Sequence, residues 1–243
     1  MNRAFDPEQP RYVALVRWYA PPDGDKQTLR VRPRLFAMDN SNHPSQRQLR
    51  EFLDDTEDLV AGSRISGPWS LRLDVGLTSD KNLLDQSDLD NFAYPLAARL
   101  RDERLVSVWC TKQHNANSYV RIESACATHP PPVEVIVATP TASYSRPGGL
   151  YKQQVRAAVA GAPELPPGAI RLELAFIVGY TMNYLNLWKP TIDALGPLLG
   201  PGKSGGDWDP DDGRITELGM HVTIDPASPY GVKIGIAAST AAF

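Results

Sequence analysis

Between Asp85 and Asn91 the chain reads Asp-Gln-Ser-Asp-Leu-Asp-Asn, with Asp88 and Asp90 one residue apart. On an extended backbone residues two apart point to one side, so the two carboxylates would converge. Such a pair suits magnesium, which keeps several waters and takes one or two carboxylates together with substrate phosphate oxygens. Aspartate before a helix has a commoner use, which is to cap free N–H groups and complement the positive end of the helix dipole. Pro95 fits a first helical turn, so both uses are open, and both put Asp88 and Asp90 in a loop leading into a helix.

Other groups carry weaker signals. The run from Gly205 to Gly213 alternates carboxylates like a calcium loop, but Pro210 interrupts it and its glycine falls one place late, so a solvated acidic loop is expected. Lys26, Arg30, Arg32, Arg34, Arg47 and Arg50 make one stretch basic, and Arg146 and Lys152 mark a second. These could contact phosphates, with Trp18, Tyr144 and Tyr151 stacking on unpaired bases. The alternation in Leu29-Arg-Val-Arg32 equally describes a solvent face. His43, His114, His129 and His221 show no ligand spacing. Cys110 and Cys126 show none either and read as small buried residues in a reducing compartment. No Ser-His-Asp order or glycine-rich phosphate loop is present in the sequence.

The elements that must position these groups occur twice. Asn91-Phe-Ala-Tyr-Pro-Leu-Ala-Ala-Arg-Leu100 and Asn186-Leu-Trp-Lys-Pro-Thr-Ile-Asp-Ala-Leu195 share their first, fifth and last residues. Each follows a strand-like run, 69–75 or 170–176, and precedes two more, 104–109 and 118–123 or 214–224 and 231–236. Each half opens on an apolar run, 12–18 or 133–137, ending at a proline turn. A helix is expected next, over 46–53 with Ser45 as N-cap, or over 151–159 before Gly161. The prolines 130–132 separate the halves, giving one unit over 1–130 and a second over 131–243. The expected fold class is α/β (α+β), with mixed sheet and helices and the two units packed as a pseudo-dimer. The segment 196–209 has no counterpart in the first unit and is expected to be a surface loop.

At 243 residues and 42% hydrophobic content the chain can bury a core without staples. No apolar stretch reaches the length of a membrane helix and the N-terminus lacks a signal peptide's apolar region, which predicts a cytoplasmic protein. The net charge of -3 argues against bulk electrostatic binding of nucleic acid, although a local basic stripe is compatible with it.

Asp88-Leu-Asp90-Asn91 with Pro95, Asn186-Leu-Trp-Lys189-Pro190-Thr-Ile-Asp193-Ala-Leu195, and Asp211-Asp212-Gly-Arg-Ile215 together resemble the RusA family of Holliday-junction resolvases. The segment Thr139 to Tyr151 resembles that family's loop between first strand and first helix. The resemblance implies a small α/β fold working as a dimer, binding of branched DNA at four-way junctions, and magnesium-dependent phosphodiester cleavage by three aspartates near a lysine. It assigns catalysis to Asp88, Asp90, Lys189, Asp211 and Asp212 and metal binding to Asp88, Asp90 and Asp211, while the two basic stretches, read by themselves, offer Arg30, Arg32, Arg34, Arg146 and Lys152 as DNA contacts.

Neither half has the full pattern. The first has Asp88 and Asp90 but Tyr94 in place of the lysine and Ala98 in place of the later aspartate. Near its next strand it offers only Asp102 and Glu103. The second has Lys189, Asp193, Asp211 and Asp212 but Asn183 and Leu185 at the two motif aspartates. Two outcomes follow: a composite site that joins the halves, or a decayed shell that binds nucleic acid or a protein partner without cutting. Because the family keeps its aspartates on adjoining elements of one subunit, the sequence favours loss of efficient cleavage.

Overall fold

The computed structural model describes residues 16–35, 43–63, 65–85, 88–141, 149–227 and 231–241. Its elements in chain order are β1 (Trp18–Tyr19), β2 (Gln27–Thr28), α1 (Pro44–Val60), β3 (Trp69–Leu77), α2 (Leu89–Leu100), β4 (Leu105–His114), β5 (Tyr119–Ser124) and β6 (Ala127–Thr128). There follow β7 (Val135–Ala138), α3 (Gly149–Val159), β8 (Ile170–Val178), a 3-10 turn (Tyr184–Leu187), α4 (Trp188–Asp193), α5 (Gly196–Leu199), a second 3-10 turn (Asp212–Arg214), β9 (Ile215–Ile224) and β10 (Val232–Thr240). The class is α+β, built on one large mixed sheet.

Eight strands run in the order β2-β5-β3-β4-β9-β8-β10-β7. The central β4–β9 pair is antiparallel, with Trp109 opposite Gly219. On either side of that pair strand order, direction and register correspond. β3 is parallel to β4 and antiparallel to β5, as β8 is parallel to β9 and antiparallel to β10. A bulge falls between Trp69 and Ser70 in one half and between Ile170 and Arg171 in the other. Only one large ring fits at the centre: a Cβ on Gly219 would meet the Trp109 ring at 2.9 Å.

Alternation along the strands divides the sheet into two faces. Leu71, Leu73, Val108, Cys110, Leu172, Leu174, Leu218 and Ile234 join the main core with Leu49 and Phe52 of α1, Phe92 and Leu96 of α2, Val155 of α3 and Ile192 of α4. Each such side chain contributes about 1.5–3 kcal/mol on full burial. The opposite face carries Ala175 and Ala237 under Trp18. There β1 pairs with β6, so segments from near the two ends of the stretch 18–128 come together over this face.

Several local expectations change. Residues 12–15 lie outside the described residues, and the strand at that place is only Trp18–Tyr19. α1 starts earlier than expected, with His43 rather than Ser45 as N-cap, because the His43 imidazole accepts from the Ser45 N–H and Pro44 suits the first turn. Pro95 lies inside α2 and not in its first turn, where it leaves the Asn91 carbonyl without a helical N–H. The second phrase is split between a 3-10 turn and the six-residue α4. The segment 196–209 is no plain surface loop, since it contains α5, whose Leu198 and Leu199 enter the core. Cys110 is buried but Cys126 is exposed.

Candidate metal centre

The N-terminus of α2 places two of the acidic groups. Asp88 is the N-cap and Asp90 stands in the first turn, so Asp90 is helical and not in the preceding loop. The Asp88 side chain makes no capping hydrogen bond among the described residues; it accepts instead from Asn91 Nδ2 at 3.2 Å. Its carboxylate is therefore turned away from the helix N–H groups that the capping reading requires. Asp90 is 4% exposed, a costly position for a carboxylate that the helix dipole eases only in part.

The third carboxylate comes from the other half. The 3-10 turn Asp212–Arg214 enters β9 beside β4, and oxygens of Asp88, Asp90 and Asp212 all lie within 4.8 Å of one another. Opposite oxygens around a magnesium ion are about 4.2 Å apart, twice the ~2.1 Å bond, and around calcium about 5 Å. The cluster matches that span, and an all-carboxylate donor set is the chemistry of a hard divalent cation. Asp211 is not part of this group of three; burial raises its pKa, and the charges of Arg214 and Lys203 oppose that rise only in part.

Lys189, at the start of α4, reaches across to the first half. Its Nζ lies 2.9 Å from Asp212, 3.3 Å from Asp193 and 3.7 Å from Asp88, with the side chain 46% exposed. Partial burial opposes its charge, but Asp90, Asp212 and Asp193 outweigh this and raise its pKa. Burial moves Asp90 the other way for an acid, up to about 7, with Lys189 opposing and Asp212 and Asp88 reinforcing the rise. Asp212 is raised as well, by burial first and against the pull of Lys189.

Two further residues hold this arrangement. Lys112 on β4 is 3% exposed and donates to the Gly213 carbonyl at 2.7 Å, tying the turn that carries Asp212 to the neighbouring strand. Burial lowers its pKa, while Asp88 and Asp212 oppose the fall. Arg214 donates to the carbonyls of Gly168 and Leu199 at 3.0 Å each, and also to Leu165 and Pro166. A planar guanidinium thus fastens the base of the turn to α5 and to the loop before β8. The sequence reading missed both. Lys112 was detectable by parity, since it shares a strand face with the core residues Val108 and Cys110.

The expected phosphate contacts are spread differently. Arg32 and Arg34 are exposed, and Arg30 pairs with Asp55 at 3.0 Å. Lys152 pairs with Asp193 at 2.8 Å and lies over the Trp208 ring. Arg146 and Tyr144 lie outside the described residues. Trp18 and Tyr151 are buried, so neither offers a face for base stacking; the Tyr151 hydroxyl is hydrogen-bonded to Thr191 at 2.6 Å.

On the opposite face Ser107 Oγ lies 3.0 Å from His221 Nδ1, and His221 Nε2 lies 3.5 Å from Glu173. The chain order hides this constellation, which only the β4–β9 and β8–β9 pairings create. All three residues are buried, and the rings of Trp18, Tyr19 and Trp109 pack around the imidazole. Burial lowers the His221 pKa, and all three groups are closed in by the packing of the sheet face.

No helix among the described residues is long and apolar enough to cross a membrane. No protein-family model matches the chain, and no curated protein or solved structure does.

Proposed function

We propose that this chain is a RusA-like DNA-processing protein, a magnesium-dependent endonuclease for branched or junction DNA whose site is composed across its two halves. The observation that carries the reading is the convergence of Asp88 and Asp90 from the first half with Asp212 and Lys189 from the second. The sequence favoured decay because each half is incomplete; the geometry joins the retained pieces.

Asp88, Asp90 and Asp212 would hold the ion, which when bound polarises a phosphodiester and lowers the pKa of a bound water. Lys189, half exposed at the rim, is placed to pair with a phosphate oxygen and to steady the charge that builds there. Asp193 orients that ammonium from 3.3 Å, four residues along the chain. Lys112 and Arg214 keep the Asp212 turn at its distance from α2.

A second reading rests on Lys189 itself. Its contacts to Asp88, Asp193 and Asp212 already offset part of the cluster's charge, as a purely structural ion-pair network would. On that reading the chain binds nucleic acid or a protein partner without cutting. Incubation of the purified chain with a labelled four-way junction and magnesium, beside an Asp88→Asn/Asp90→Asn variant, separates the two. The endonuclease reading expects cleavage by the parent and a loss of orders of magnitude in the variant. A parent that binds the junction but never cuts it leaves only the second reading.

A further inference from the structure

The sheet's register gives the acidic centre a counterpart, and that counterpart has different chemistry. About the Trp109–Gly219 pair, β4 corresponds to β9, and the three residues before Leu105 stand where those before Ile215 stand. Asp102 therefore answers Asp212, and Arg101 answers Asp211. In the doubled phrase Asn183 answers Asp88, Leu185 answers Asp90 and Tyr94 answers Lys189.

These residues also meet across the centre, though not in their counterparts' pairings. The Tyr94 hydroxyl reaches across to Asn186 Oδ1 at 3.3 Å, and Asn186 answers Asn91. Arg101 Nη1 donates to Asn183 Oδ1 at 2.5 Å. Leu185 is buried in the core, and the Asp102 carboxylate is occupied by Trp69 Nε1 at 2.8 Å and by Arg104. What remains cannot collect a divalent ion, because an amide and a guanidinium stand where carboxylates would be needed.

The place is nevertheless open. A cleft of about 910 Å³ is lined by Arg101, Asn183, Tyr184, Tyr180 and Arg17, with Asp102 and Glu103 also on its wall. Arg17 and Arg101 are exposed, no ion pair engages either among the described residues, and Tyr180 is 67% exposed. Two guanidiniums, an amide and an exposed ring suit a nucleic-acid backbone with a neighbouring base.

We propose that this cleft binds a phosphodiester of a second DNA strand without hydrolysing it, so that one chain cuts one strand and leaves a nick. The proposal rests on the endonuclease reading for the nick, but the binding role of the cleft stands apart from it.

The test has two arms. In EDTA, anisotropy of a fluorescent four-way junction is followed against salt for the parent, Arg101→Gln and Arg101→Lys. The expected result is affinity about tenfold weaker for Arg101→Gln, a salt slope shallower by about 0.9 per lost phosphate contact, and recovery in Arg101→Lys. Unchanged affinity and slope in Arg101→Gln, with native circular dichroism, overturns the binding role, as does a parent that binds no junction. In magnesium, junctions labelled on one strand at a time are cut under single-turnover conditions. One incision per junction is expected, and paired incisions in opposed strands within one monomeric chain's complex overturn the nicking claim. A parent that binds but never cuts overturns the endonuclease reading and the nick together, while the EDTA arm still decides the cleft.

Discussion

The ammonium of Lys189 lies 3.7 Å from the carboxylate of Asp88, although the two residues belong to different halves of the chain. Tyr94 crosses in the other direction, to Asn186, which stands at the place of Asn91 in the doubled phrase. The side chain at the motif's lysine position thus crosses to the opposite half in both directions, and a site lacking one aspartate pair can borrow it from across the centre.

The charge of the cluster sets a pH dependence. Asp90 titrates at about 7 when folded, against 3.8 as the ordinary value. Between those values the folded chain holds a proton that the unfolded chain has lost, so this contribution to stability is complete below 3.8 and lost as pH rises through about 7. Urea unfolding in EDTA should therefore show stability falling by up to a few kcal/mol between pH 5 and pH 8, and a flatter profile in Asp90→Asn. A fall of the same size in Asp90→Asn would contradict the assignment.

Replacing Lys189 separates its two roles. Lys189→Ala removes a cation that repels a divalent ion, so manganese affinity should rise, while junction cleavage should fall by roughly 10²–10³-fold. A fall in both would mean that Lys189 mainly holds the carboxylates in place. Parallel calorimetric and cleavage measurements decide it.

Arg214 donates to the carbonyls of Gly168, Leu199, Leu165 and Pro166. Arg214→Leu should cost about 3 kcal/mol in chemical denaturation and loosen the Asp212 turn, weakening metal binding as well. Stability within 0.5 kcal/mol of the parent, on the order of a neutral surface change, would show that the carbonyls find water instead.

At the centre of the sheet, a Cβ on Gly219 would come within 3.1 Å of three atoms of the Trp109 ring. Gly219→Ala should lose about 1–3 kcal/mol by overpacking, and Trp109→Leu in the same chain should recover part of it. Additive losses in the double-mutant cycle would place the strain elsewhere.

How far the sequence led differs by element. The strands were legible as runs at 69–75, 104–109, 170–176 and 214–224 because buried strands carry dense apolar runs, although β4 continues past the expected end to His114. The helix containing Pro95 was misjudged because local proline chemistry says first turn, whereas packing of Phe92, Leu96 and Ala97 on the sheet extends the helix through it. For the centre, the aspartate pair and the lysine were legible as residue types. The choice of Asp212 over Asp211 was not, because neighbours in a tight turn point different ways and only the path into β9 decides which faces α2. Lys112 was missed because the strand expected over 104–109 ended before it, and the joining of the halves depends on the β4–β9 register, which no local pattern encodes.

The central claim is that one divalent cation site draws ligands from both halves, and manganese binding tests it most directly. Titration of the full chain, followed by the loss of the free-ion paramagnetic resonance signal, should give one site per chain. Asp90→Asn in one half and Asp212→Asn in the other should each weaken it by at least about tenfold, the scale of losing one ligand or its support. Undiminished binding in Asp212→Asn, or no stoichiometric site in the parent, would contradict the account.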